Sequence, residues 1–154
     1  MHISKVYQNI TRTINENVSV FEALQGLIDN TFNSLVVANN EGHVVGIISI
    51  QDIAGATVPE QFQENVSMVD AMYKESFFQE TCLAIKNKKI KDVMRKNILT
   101  VTPTTHIMVI MADFLKNDCY IVPVVEEGKL IGIVTRTEIK RALIEAMESP
   151  IPTN

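Results

Sequence analysis

Three stretches of the chain place apolar residues at the spacing of an amphipathic helix. Their apolar positions are Val20, Ala23, Leu24, Leu27 and Ile28, then Ile107, Ile110, Met111, Phe114 and Leu115, then Ile139, Ala142, Leu143, Ala146 and Met147. In each stretch they recur at i, i+3, i+4, i+7 and i+8, which places them on one face of a helix. Small polar residues before the first two stretches can cap free amides. We therefore expect three helices that pack by one face.

Short β-branched runs follow the first two predicted helices. They read "SLVVA" then "HVVGIIS" after the first helix, and "YIVPVV" then "KLIGIVT" after the second. The polar inserts between the runs, "NNEG" and "EEG", are typical of hairpin turns. "ILTV", residues 98–101, predicts a further short strand ahead of the second helix.

The chain repeats itself. "GHVVGIISIQDI" (42–53) returns 86 residues later as "GKLIGIVTRTEI" (128–139), and Thr13 has its counterpart in Thr102. These echoes indicate an internal duplication of β-α-β-β-α units, each too small to bury a core alone. We expect the repeats at 1–57 and 91–148, a docked helical connector at 58–90 and a tail at 149–154. Gly46 and Gly132 fall inside strands, where a glycine often marks close approach of a ligand or another backbone.

Composition favours a folded protein. Of 154 residues, 46% are apolar and 21% charged, and the net charge is −4. The run from Lys86 to Lys96 holds six cations and one aspartate. Such a block is typical of phosphate or nucleic-acid contacts, or of a solvated connector helix. We favour the helix and do not expect a nucleic-acid partner, because the remainder of the chain is acidic and repels polyanions.

The candidate chemistry argues against catalysis. The three histidines lack metal-ligand spacing, and neither Cys82 nor Cys119 has a histidine nearby in the sequence, so we expect no catalytic residue and no metal site. Gly-x-Ser-x-Gly, P-loop and Gly-x-Gly-x-x-Gly motifs are missing. The sequence contains no apolar run of membrane-spanning length, and its N-terminus is too polar for a signal peptide. We expect a cytoplasmic protein that does not contact membranes.

The second unit resembles a known family. "YIVPVVEEGKLIGIVTRTEI" is similar to the signature of a CBS (cystathionine β-synthase) repeat, and "KDVMRKNILTVTP" resembles its lead-in. "SLVVANNEGHVVGIISIQDI" is a weaker copy, with Leu35 where the proline would stand. The resemblance implies a tandem CBS pair, or Bateman module, of α/β (α+β) class. Its two repeats would pack by pseudo-two-fold symmetry, often within a homodimer.

The resemblance also implies a function. Such modules are regulatory and bind adenosine-containing ligands in clefts between the repeats, which suggests an energy sensor acting on an unidentified protein partner. AMP, ADP or ATP is expected before S-adenosylmethionine or NAD. The matching hydroxyl and carboxylate residues are Ser49 with Asp52, and Thr135 with Glu138, while Arg136 could add charge toward a phosphate. Backbone groups near Thr100, Thr102, Val122 and Pro123 would face the adenine.

Two alternatives stay open. Thr135 and Glu138 fit a helix capping box, in which both side chains serve the helix's own amides, and Ser49 with Asp52 fit that motif less well. Glu138 also replaces the family's aspartate, so Asp52 is the preferred ribose contact. The second alternative is a ligand-free dimeric scaffold with decayed sites. Met108, Val109 and Ile144 lie off the core-facing stripes and could form its self-association surface.

Overall fold

Helices and short strands alternate along the chain. The computed structural model describes residues 1–30, 32–71, 75–116 and 121–153. The strands are β1 (Thr13–Asn15), β2 (Ser34–Ala38), β3 (Val44–Ser49), β4 (Ile121–Glu126) and β5 (Lys129–Thr135). The helices are α1 (Val20–Ile28), α2 (Ile50–Thr57), α3 (Val66–Ala71), α4 (Phe77–Ile85), α5 (Ile107–Lys116) and α6 (Arg136–Glu148). Single 3-10 turns occur at Ile3–Lys5, Glu60–Phe62 and Ile90–Asp92. The mixed α and β fold class is confirmed.

The described chain forms two compact units, each assembled from separate segments. The first unit contains Thr13–Glu41 and Val45–Asn97. The second unit contains Met1–Arg12, Gly42–Val44 and Ile98–Asn154. Residues near the N-terminus therefore belong to the unit that holds α5 and α6. The predicted repeat boundaries along the sequence stay a prediction.

A three-stranded sheet in the order β1-β2-β3 organises the first unit. β1 runs parallel to β2, with Thr13 opposite Val36. Apolar residues of α1, β2, β3, α2, the end of α4 and the segment after it form its core: Val20, Ala23, Leu27, Leu35, Val37, Ile48, Ile53, Ile85, Ile90 and Met94. Val20, Ala23 and Leu27, which the periodicity placed on one face of α1, are thus buried in this core.

The antiparallel hairpin of β4 and β5 organises the second unit, with Ile121 opposite Thr135. Glu127 and Gly128 connect the strands with φ of 52° and 80°, the left-handed conformation of a tight hairpin turn. The strand predicted at 98–101 is wrong in extent, because it shrinks to one parallel bridge between Val101 and Val124. The amide of Val101 donates to the carbonyl of Pro123 at 3.0 Å, and among the described residues no neighbour of Val101 forms a further bridge.

The buried faces of the helices are narrower than predicted. Ile28, Leu115 and Met147 were expected in the core, yet they are 83%, 86% and 81% exposed. Each is the last or next-to-last residue of its helix. Leu143, in the middle of α6, is 43% exposed as well. The buried face is therefore narrower than the apolar stripe, and the last apolar residue of each helix faces solvent.

The predicted connector is helical in its described part, and its C-terminal end is docked. Ile85, at the end of α4, is buried in the first unit's core, and the carbonyl of Lys86 accepts from the amide of Phe21 at 3.1 Å. The basic run Lys86–Lys96 is not the predicted helix, because it consists of turns around the Ile90–Asp92 3-10 turn. Ile90 is fully buried there and fixes the run against the first unit, which a solvated helix would not require.

Candidate functional site

Ser49 and Asp52 stand at the start of α2 in the first unit. Ser49 is the extended N-cap residue, and its Oγ accepts from the Asp52 amide at 3.3 Å. Asp52 Oδ2 accepts from the Ser49 amide at 2.9 Å and from Ser49 Oγ at 2.8 Å. The capping box therefore forms even with the shorter aspartate, because the first helical turn brings Ser49 and Asp52 within hydrogen-bonding distance of each other.

One oxygen of Asp52 stays open. Both bonds from Ser49 reach Oδ2, and no described residue donates to Oδ1 of this half-buried carboxylate. No buried polar side-chain atom in the described chain lacks a partner, so Oδ1 faces solvent. Since a carboxylate oxygen accepts hydrogen bonds and donates none, Oδ1 is available to a hydroxyl or amide donor from a ligand.

Thr135 and Glu138 form the corresponding box at the start of α6 in the second unit. Glu138 Oε2 accepts from the Thr135 amide at 2.8 Å and from Thr135 Oγ1 at 2.5 Å. Its other oxygen, Oε1, accepts from the side-chain amide of Gln8. Glu138 is only 2% exposed. The two carboxylates thus differ, because both oxygens of Glu138 already serve the protein.

The charge of Glu138 is stabilised in place. Burial by itself raises the pKa of Glu138, since it disfavours the charged form. The hydrogen bonds from Thr135 and Gln8 outweigh this effect and hold the pKa of Glu138 below the usual glutamate value. Glu138 is therefore an ionised, fully coordinated anchor of the second unit at neutral pH.

The two strand glycines approach other backbone segments of their own units. A Cβ on Gly46 would lie 2.6 Å from the carbonyl oxygen of Arg95, and one on Gly132 would overlap the carbonyl of Gln8 and the ring of Tyr7. The sequence predicted that each glycine allows close approach of a ligand or of another backbone segment, and the structure shows the backbone segment. A side chain at either position would force the neighbouring segment away.

These neighbouring segments are equivalent, and Gln8 was missed by the sequence reasoning above. Gln8 exchanges two backbone hydrogen bonds of 2.9 Å with Ile133, and Arg95 exchanges bonds of 2.9 and 3.0 Å with Ile47. A signal was present: "ISKVYQ" (3–8) and "IKDVMR" (90–95) both open with isoleucine and carry valine three residues later. That echo places Gln8 and Arg95 at matching positions.

The remaining predicted site residues all lie in the second unit. Thr100 and Thr102 are exposed, and Thr102 Oγ1 lies 3.2 Å from Thr105 Oγ1. Val122 and Pro123 are buried in β4, and the Pro123 carbonyl accepts from Val101. The Pro123 carbonyl is thus already bonded within the unit, whereas the threonines are accessible.

Val122, Thr135 and Arg136 line one small depression with Phe114. Its volume is about 10 Å³, which is room for about one water molecule. The Arg136 guanidinium carbon lies 5.8 Å from the Phe114 ring centroid, a cation–π contact. The structure therefore brings these three predicted residues together around a depression much smaller than a nucleotide.

Two properties of the described residues bear on function. No helix among them is long and apolar enough to cross a membrane. Within the same residues, no group of three or more His, Cys, Asp or Glu side chains is placed to hold a metal ion.

The family model for the CBS domain matches residues 6–58 and 90–145, which together exceed half of the chain. The chain belongs to the CBS domain family. An uncharacterized protein of Methanocaldococcus jannaschii is 31% identical over 141 residues, covering 84% of this chain and 83% of the relative. The chain spans only 20% of another relative from that organism, an L-aspartate semialdehyde sulfurtransferase, at 29% identity. CBS repeats like these therefore also occur within longer proteins.

Solved CBS-pair structures share the fold. CBSX2 from Arabidopsis thaliana superposes with a TM-score of 0.72 at 22% identity, covering 97% of this chain and 98% of that one. CBSX2 has also been solved in complex with AMP, with a TM-score of 0.68. The CBS domain pair of protein MJ0100 was solved with 5′-methylthioadenosine and S-adenosyl-L-methionine; it covers 95% of this chain at 23% identity. The tandem CBS fold inferred from the repeats is confirmed.

Proposed function

We propose that this CBS pair is a regulatory module that binds an adenosine-containing ligand, with Asp52 as the ribose contact. The observation that carries the proposal is the open Oδ1 of Asp52 beside Ser49 at the start of α2. The complexes of CBSX2 with AMP and of MJ0100 with two adenosine compounds support this ligand class. AMP is the first candidate, ahead of ADP and ATP, and then of S-adenosylmethionine and NAD.

The chemistry of Asp52 suits a ribose. A ribose presents two adjacent hydroxyl donors, and an ionised carboxylate oxygen accepts such bonds with charge assistance. Oδ2 holds Ser49 while Oδ1 receives the ligand, so binding does not require the capping box to open. The helix start also offers a positive dipole end to a phosphate.

The second carboxylate is less suited to the same role. A ribose hydroxyl could reach Glu138 Oε1 only by displacing the amide of Gln8, and this carboxylate is almost fully buried. Displacement would leave the Gln8 amide needing a new partner, which costs about 1–3 kcal/mol. We therefore propose that the Asp52 site fills first, and that Thr135, Arg136, Thr100 and Thr102 contribute at most a weaker site.

The proposed role is signalling rather than catalysis. A ligand regulates only if it binds one arrangement of the protein better than another. The arrangement favoured by the nucleotide would then be recognised by a protein partner. A cytoplasmic location, where adenine nucleotides are available, belongs to the same proposal.

Calorimetry tests the ligand and the ranking of sites together. AMP, ADP, ATP, S-adenosylmethionine and NAD are titrated at up to millimolar concentration into the wild type, Asp52→Asn and Glu138→Gln. We expect saturable AMP binding that Asp52→Asn weakens about tenfold, the equivalent of about 1.4 kcal/mol. Glu138→Gln should leave that affinity within about twofold, a difference below about 0.5 kcal/mol. Binding of none of the five compounds, or a larger loss in Glu138→Gln, would contradict the proposal.

A dimeric scaffold is the second candidate, favoured by exposed apolar side chains on α5 and α6. Met108, Val109 and Ile144 are exposed, as their positions off the core stripes predict. Exposed apolar surface of this kind is a candidate for association. Sedimentation equilibrium of the wild type and Ile144→Glu tests this role. A dimer that Ile144→Glu dissociates supports it, and a monomeric wild type at tens of micromolar removes it.

A further inference from the structure

An apolar pocket opens in the first unit where α1, α2 and α4 meet. Its volume is about 300 Å³. Val20 and Leu24 of α1, Ile53 of α2, and Leu83 and Ile85 from the end of α4 form most of its wall. Concave, mostly apolar sites of this size are typical of ligand-binding pockets.

The pocket has a fixed floor and an open rim. Val20, Ile53 and Ile85 are buried in the first unit's core, so their positions are held by packing on the sheet side. At the rim, Phe21 is 46% exposed and Leu83 is 60% exposed. Its volume lies at the lower end of the range for small-molecule sites, which are mostly apolar with a few polar groups that orient the ligand.

One cation stands at this apolar site. Lys86 provides the single formal charge among the described lining residues, and its ammonium lies 4.9 Å from the Phe21 ring centroid. No described carboxylate pairs with Lys86. The exposed cations Lys88 and Lys89 follow in the same loop, which is fixed to α1 by a bond from the Val20 amide to the Lys88 carbonyl at 2.8 Å. The positive charge is thus held at one end of an apolar cavity.

We propose that this pocket binds an amphipathic carboxylate, with its hydrocarbon chain in the cavity and its carboxylate at Lys86. A volume of about 300 Å³ suits a small amphipathic molecule such as a medium-chain fatty acid. Burial of the hydrocarbon chain supplies most of the affinity, and Lys86 selects the anion. None of the residues proposed to contact the nucleotide lines this pocket, so this proposal is independent of the nucleotide site.

Decanoate is the probe, titrated into the full chain below its micellar concentration and followed by calorimetry and thermal shift. We expect saturable binding of one decanoate per chain, and at least tenfold weaker binding of neutral decanol. Lys86→Glu should weaken decanoate binding at least tenfold. Lys96→Glu, which reverses an exposed cation of the same basic run outside the pocket lining, should retain wild-type affinity. The matched pair separates contact at the pocket from the general field of the basic run.

Cys82, in the pocket lining, gives an independent measurement. In a Cys119→Ser background, decanoate should slow alkylation of Cys82 by N-ethylmaleimide, and Cys82→Phe should fill the cavity and abolish binding. Absence of saturable decanoate binding, equal affinity for decanol, or unchanged alkylation at saturation would overturn the proposal. The proposal would also be overturned if decanoate failed to bind and the chain formed a dimer that Lys86→Glu and Cys82→Phe each dissociated. A second copy of the chain would then cover the pocket.

Discussion

Removing the amide of Gln8 should destabilise the second unit by an amount that its contacts allow us to estimate. In Gln8→Ala, Glu138 Oε1 loses its donor while the carboxylate stays buried and charged. A hydrogen bond to a charged group contributes about 1.5–3 kcal/mol, and the burial of Glu138 favours the upper part of that range. For a chain of this size, a loss of about 2.5 kcal/mol lowers the Tm by about 5–10 °C. Asn9→Ala is the control, because Asn9 is an exposed neighbour.

The effect should depend on pH in a defined direction. The pKa of Glu138 in the folded protein lies below its ordinary value, so its ionised form contributes stability above the unfolded-state pKa. That contribution is lost as the pH falls through the lowered folded-state pKa. Without Gln8, one bond that favours the charged form is gone, and the pKa of Glu138 should rise. The gap in stability between wild type and Gln8→Ala is therefore full at pH 7 and narrows below about pH 4.

Urea denaturation of wild type, Gln8→Ala, Glu138→Gln and the double variant measures the coupling directly. At pH 7 we expect a coupling free energy of about 1–2 kcal/mol between the two side chains. A coupling below about 0.5 kcal/mol, within the error of additivity, would refute the assigned contact. A wild-type to Gln8→Ala gap that stays constant from pH 7 to pH 3 would instead refute the role of the Glu138 charge.

Two further predictions concern packing within the units. Gly46→Ala should cost about 1–3 kcal/mol in urea denaturation, because its Cβ would lie 2.6 Å from the Arg95 carbonyl, and a cost below about 0.5 kcal/mol would contradict that contact. Gly55→Ala is its control, since a Cβ there meets nothing within 4 Å and helix propensity should add up to about 1 kcal/mol of stability. Ile3→Ala should lower the free energy of unfolding by about 2–5 kcal/mol, because Ile3 is fully buried in the second unit. Leu115→Ala, at an exposed position, is the control and should lower it by less than about 0.5 kcal/mol. Equal losses of stability would show that the N-terminal segment is not docked.

The local pattern of apolar and polar residues predicted which helices and strands form, but not where each of them ends. The stripe beginning at Val20 predicted α1, and the "EEG" insert predicted the turn at Glu127 and Gly128, because helix and hairpin preferences act over a few residues. Whether Ile28 is covered depends on how far the neighbouring core extends, and periodicity holds no such information. The strand predicted at 98–101 shrank to a bridge for the same reason, since strands need partners along their length.

The sequence alone determined the internal duplication, the CBS resemblance and the positions of Ser49, Asp52, Thr135 and Glu138 at helix starts, because these follow from residue spacing within each repeat. Only the tertiary structure placed Gln8 on Glu138, 130 positions away along the chain. The tertiary structure therefore also determines that Asp52 has one oxygen with no donor among the described residues, whereas both oxygens of Glu138 accept hydrogen bonds. A long-range contact of this kind depends on how the N-terminal segment docks, and no pattern of local spacing specifies it.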